Sequence, residues 1–88
     1  MQRILIMVSY VHLDNLPDTS NHLLNILWDR NHGMSLAELT DAVNKEFYLH
    51  WEKEDVKKFL QLLVAKDYAK TIRCGLKKHY IALGADLL

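Results

Sequence analysis

The sequence is poor in the residues that staple, bend or loosen a chain: one cysteine, one proline and three glycines among 88 residues. Cys74 alone cannot close an internal disulfide, which excludes a disulfide-stapled secreted mini-protein and favours a reducing compartment. The scarcity of glycine and proline excludes collagen-like and linker chains. Long apolar runs are missing too. The longest, Ile4–Val8, falls far short of the ~20 residues that cross a bilayer. Arg3 ahead of it resembles the start of a signal peptide, but Ser9, Tyr10 and His12 break the pattern and no small-residue cleavage site follows. The expected location is the cytoplasm, with no membrane contact. Net charge is absent as well, 11 basic residues balancing 11 acidic ones.

What is present is an ordinary globular composition, 50% hydrophobic and 25% charged, with length for one small domain over residues 1–88. The neutral total conceals an asymmetry. Residues 1–50 hold Arg3, Arg30 and Lys45 against Asp14, Asp18, Asp29, Glu38, Asp41 and Glu46, whereas residues 56–80 hold seven cations against Asp67 alone. A charge split of this kind points to an anionic partner at one face.

Gln2–Leu13 is apolar almost all round, so periodicity does not separate a buried helix from a buried strand; its length and Leu/Met content favour a helix. Pro17 breaks the chain. A helix follows, capped by Asp18, Thr19 or Ser20, with Leu23, Leu24, Ile26, Leu27 and Trp28 as its stripe and Gly33 as the left-handed residue that ends it. Ser35-Leu36-Ala37-Glu38 is a capping box, opening a helix that buries Leu36, Leu39, Ala42, Val43 and Phe47. After the aromatic connection Phe47–Trp51, three carboxylates load the first turn of another helix, where the helix dipole favours them. Its core stripe is Val56, Phe59, Leu60 and Leu63. Lys70–Arg73 and Lys78–Leu83 are strands around a turn at Gly75-Leu76, and such a hairpin needs the helices to be stable.

The segment Leu60-x-x-Leu63-x-x-x-Asp67-Tyr68-Ala69-Lys70, followed by Tyr80-Ile81-Ala82-Leu83-Gly84, resembles the winged helix-turn-helix domain and is most similar to small repressors of the MarR and PadR kind. The likeness runs from Thr19 to Gly84. Asp67 stands where that family usually has glycine, Ala69 replaces a larger aliphatic residue, and the wing is short. The fold implied is mainly α with a small β-hairpin (α+β): a winged helix-turn-helix with an extra N-terminal helix at 2–13 and its core at 19–84.

In such a fold the helix from Glu52 would be offered to the major groove. Lys57, Lys58 and Gln61 lie opposite its core stripe and suit phosphates or base edges; alternatively they form a solvated face with Glu54 and Lys58 paired at i, i+4. The acidic start of that helix works against DNA. In the wing, Arg73 falls opposite Lys78 with Lys77 beside them, a like-charge juxtaposition that a bound anion relieves and that solvent otherwise screens. Lys70 extends this basic strip. The expected partner is double-stranded DNA, bound by a homodimer that joins through Ile4, Met7, Val8 and Val11. A competing expectation is a protein-interaction module without DNA binding, docking a protein partner through that segment and the aromatics Tyr48 and Trp51.

Five histidines and Cys74 form no tight ligand pair, so no metal or other cofactor is expected. Neither a phosphate-binding glycine loop nor a nucleophile elbow is present, and no carboxylate pair lies in an apolar setting. The chain is not expected to be an enzyme.

Overall fold

A computed structural model of the chain describes residues 10–84. Three helices, α1 (Asp18–Arg30), α2 (Leu36–Phe47) and α3 (Lys53–Ala65), precede an antiparallel hairpin of β1 (Ala69–Cys74) and β2 (Lys77–Ala82). This is the expected α+β winged-helix order. The core lies where the three helices meet: Leu23, Leu24, Leu27, Leu39, Val43, Val56, Leu60 and Leu63 are all but sealed from solvent. Burying each such leucine contributes about 1.5–3 kcal/mol.

Local chemistry explains the element ends. Ser35 and Glu38 form the capping box: the Glu38 amide donates to Ser35 Oγ at 3.2 Å and the Ser35 amide donates to Glu38 Oε1 at 2.9 Å. The Ser35 amide also holds the Glu38 carboxyl below the usual carboxylate pKa. Asp67 takes the left-handed conformation, at φ 63°, between α3 and β1. Asp tolerates this region because its short side chain bonds locally.

Three expectations are corrected. The helix at 2–13 is not found over residues 10–13, where the chain is irregular; residues 1–9, with Ile4, Met7 and Val8, lie outside the described residues. Instead, two amides of α1 grip this stretch by its backbone. The Val11 amide donates to Asn25 Oδ1 at 2.8 Å and Asn25 Nδ2 donates to Val11 O at 2.7 Å. Asn21 repeats the exchange with Leu13 at 2.7 and 3.1 Å. Spaced i, i+4 on α1, the two side chains imitate a partner strand for alternate residues. Second, Pro17 is the N-cap of α1, and Thr19 and Ser20 are buried rather than capping, Ser20 Oγ donating to the Phe59 carbonyl at 3.2 Å. Third, Asn31, not Gly33, takes the left-handed position after α1. Gly33 has a different reason to lack a side chain: a Cβ there would lie 3.2 Å from His79 Cβ and 3.4 Å from Ile72 Cδ1.

That close approach sets up the joint between hairpin and helices. Met34 pairs with Tyr80 as a single antiparallel bridge, its amide donating to Tyr80 O at 3.0 Å and accepting in return at 2.8 Å through Met34 O. The hairpin thereby gains a one-residue third strand. Trp28 Nε1 adds a bond to Leu83 O at 3.2 Å.

Leu60→Ala is expected to cost about 2–5 kcal/mol in urea unfolding, whereas truncating the exposed Leu76 changes stability by less than about 0.5 kcal/mol. Near the N-terminal stretch, the His22 ring stacks on Phe47 with centroids 3.8 Å apart, and Tyr10 Oη lies 2.7 Å from His22 Nδ1. Burial lowers the His22 pKa, against the opposing pull of Asp18. A folded pKa below the unfolded value means stability present above about pH 6.5 and lost as pH falls through the folded value. The melting temperature should therefore drop more between pH 7.5 and 5.5 in the wild type than in His22→Gln.

Candidate nucleic-acid interface

Helix α3 turns Val56, Leu60 and Leu63 into the core and half-buries Phe59, which leaves Lys53, Glu54, Lys57, Lys58 and Gln61 exposed on the outer side. The spacing i, i+4, i+7 of the buried residues forces this presentation. The carboxylates at the helix start divide. Asp55 folds back to accept a hydrogen bond from the Glu52 amide at 3.4 Å, capping the helix end. Glu54 remains on the outer face. The Glu54–Lys58 pair of the alternative, solvated-face reading is not among the ion pairs formed by the described residues.

The hairpin register places Arg73 directly opposite Lys78 and Cys74 opposite Lys77, as the turn at Gly75-Leu76 predicts. Gly75 carries the positive φ, 69°, at the first of the two turn residues, the position that a two-residue II′ turn reserves for glycine. Cross-strand partners share a face of a sheet. Arg73 and Lys78 therefore occupy the face that also carries Ala69 and Tyr80, both buried; Lys70 and Lys77 occupy the other. Lys70, Arg73, Lys77 and Lys78 are all exposed. Lys78 Nζ stands 5.6 Å from the Tyr80 ring centroid, a cation–π contact that orients it without neutralising it.

Charge pairing separates the two halves of the molecule. Arg30 bridges Asp29 and Glu46, Lys45 pairs with Asp41 at 3.4 Å, and His12 approaches Asp14 and Asp18. None of the eight cations from Lys53 to Lys78 has a carboxylate within 4.0 Å among the described residues. Eight unpaired cations on adjacent elements, against the few carboxylates beside them such as Glu54, give this side of the molecule a net positive potential. Lys53 belongs to this set as well.

The two aromatic candidates part company. Tyr48 ends α2 in the left-handed conformation, φ 56°, and is 88% exposed. Trp51 is turned into the domain: its Nε1 donates to Thr19 Oγ1 at 3.1 Å and its ring meets Phe59 edge-on at 5.1 Å. Asn44 holds the Trp51 backbone at both its amide and its carbonyl, at 2.9 and 3.0 Å. Val11 is half-buried. The described residues contain no cluster of three or more His, Cys, Asp or Glu placed to hold a metal. A shallow pocket lined by Leu27, Trp28, Asn31, His32, Ile81 and Ala82 holds about 150 Å³, below the roughly 300–1,000 Å³ of small-molecule sites. No helix among the described residues is long and apolar enough to cross a membrane.

Three helices, a bridging residue and a two-stranded wing, with free cations on the third helix and the wing, define a winged-helix DNA-binding domain. The chain belongs to the penicillinase repressor family, whose model matches residues 17–85, and that family consists of winged-helix DNA-binding transcriptional repressors. Among solved structures, it is similar to one described as giving "structural insights into the DNA recognition and protein interaction domains" of HOP2 and its homologous DNA pairing properties. The identity is 26% and the TM-score 0.62, over 73% of this chain and 97% of that one. Among curated proteins no sequence matches.

Proposed function

We propose that the protein binds double-stranded DNA as a small cytoplasmic repressor, with α3 in the major groove and the wing on the phosphate backbone. The observation that carries this assignment is the set of unpaired cations shared by α3 and the hairpin. On α3, Lys57 and Lys58 meet phosphates or guanine edges, and Gln61, midway along the exposed side, suits adenine. On the wing, Arg73, Lys77 and Lys78 grip the backbone, with Lys70 behind them. Filling the space around Arg73 and Lys78 with phosphate oxygens relieves a repulsion that the fold itself creates. The likeness to MarR- and PadR-type repressors, which the motif at Leu60–Lys70 suggests, belongs to the same reading. So does assembly as a homodimer, which would set two α3 helices about one DNA turn apart.

A second reading, docking to a protein partner, is favoured by one observation. Tyr48 is a bulky residue held in the left-handed region, fully offered to solvent and engaged with no charged group.

Fluorescence anisotropy with a random-sequence duplex, titrated from low to physiological salt, distinguishes them. Six phosphate contacts, from Lys57, Lys58, Lys70, Arg73, Lys77 and Lys78, give a log–log salt slope of about −5, and the triple variant R73Q/K77Q/K78Q makes it shallower by roughly 3. A slope unchanged by the triple variant would remove the wing from the interface. Absence of wild-type binding at low salt would leave the Tyr48 reading in possession.

A further inference from the structure

The wing ends in a residue that its own turn does not ask for. A two-residue turn opening on glycine usually continues with Asn, Asp or Ser, whose side chains suit water. Here the second position is Leu76, 97% exposed, the most exposed of the large hydrophobic residues described. Nothing lies within 4 Å of where a Cβ would stand on Gly75, so the tip projects clear of the body. An isolated surface leucine is ordinary. This one is framed by charge on both sides of the blade: Arg73 and Lys78 on one face, Lys77 on the other, all within two residues of the tip. A hairpin with cations on both faces and an apolar edge is matched to a groove walled by phosphates and floored by stacked bases.

We propose that Leu76 is a wedge, carried into the minor groove by the wing and pressed between neighbouring bases at a flexible pyrimidine–purine step. The minor groove is only ~6 Å wide, so the tip alone enters it while the cations beside the turn stay at its mouth, within reach of the phosphates on either wall. Apolar side chains at such positions partly unstack a step and bend the duplex, and TA and CA/TG steps yield most readily. The leucine thereby leaves water, and the site gains a preference for deformable sequence without a hydrogen bond to any base edge. This inference rests on the DNA-binding reading of the wing and adds to it a groove, a contact and a source of selectivity.

The test uses the whole chain and two duplexes, one with a central TA step and one with an A-tract, each carrying 2-aminopurine beside the centre and a donor–acceptor dye pair at its ends. Wild-type binding should raise 2-aminopurine fluorescence and shorten the end-to-end distance on the TA duplex only. L76A should keep the salt slope, lose both signals and bind the TA duplex roughly tenfold more weakly. L76K adds a cation at the same exposed point, so it should bind at least as tightly at low salt and still fail to unstack. Melting temperatures of both variants should match the wild type, since the side chain is 97% exposed. Wild-type binding without either signal, or signals that survive in L76A and L76K, would overturn the wedge while leaving the wing on DNA. No wild-type binding at any salt would overturn the parent reading and the wedge with it.

Discussion

The positive half of the molecule keeps its shape because Tyr80 is gripped from several directions. Its backbone exchanges two hydrogen bonds with Met34, its ring is buried against the helices, and it aligns β2 with β1 opposite Thr71. A two-stranded hairpin alone is marginal in water. The Met34 bridge makes it the outer part of a three-element sheet, and the missing side chain at Gly33 allows the connecting segment to lie close against Ile72 and His79. The exposed like-charge pair Arg73–Lys78 weakens the pairing of its strands, and that joint helps to hold the two side by side.

Economy of charge follows from the same arrangement. The α1–α2 half consumes its cations internally, through Arg30 with Asp29 and Glu46 and through Lys45 with Asp41. Exposed pairs of this kind contribute little to stability, about 0–1 kcal/mol, but they silence charge away from α3 and the wing. At the start of α3, Asp55 turns its carboxylate to the Glu52 amide and so caps the helix. A chain of zero net charge thus carries a side on which unpaired cations outnumber carboxylates, and composition alone hides it.

Much of this was legible in the sequence because the signals were local. The capping box at Ser35, the stripe Val56–Leu63 and the turn at Gly75-Leu76 each depend on residues close in the chain, and the Arg73–Lys78 register follows from the turn by counting. Asp67 in the position of a family glycine adopts the left-handed backbone that the resemblance implies. What escaped was non-local. The Met34–Tyr80 bridge joins residues far apart, and a single bridging residue leaves no alternating pattern. The grip of Asn21 and Asn25 on Val11 and Leu13 was equally hidden, since asparagine inside a helix carries no periodic signal for the segment it holds. Trp51 looked like an exposed aromatic because its partner Thr19 is distant in sequence. Of the candidate site, the wing cations stood out by density alone.

The central claim is that one continuous surface, the outer side of α3 together with both faces of the wing, meets the nucleic acid. Amide chemical-shift mapping on 15N-labelled protein titrated with a short duplex tests it residue by residue. The account predicts perturbations concentrated at Lys53–Gln61 and Lys70–Lys78, with the α1 amides and Tyr48 unmoved. Perturbations centred on Tyr48 and the Tyr10–Leu13 stretch, with the wing silent, would contradict it.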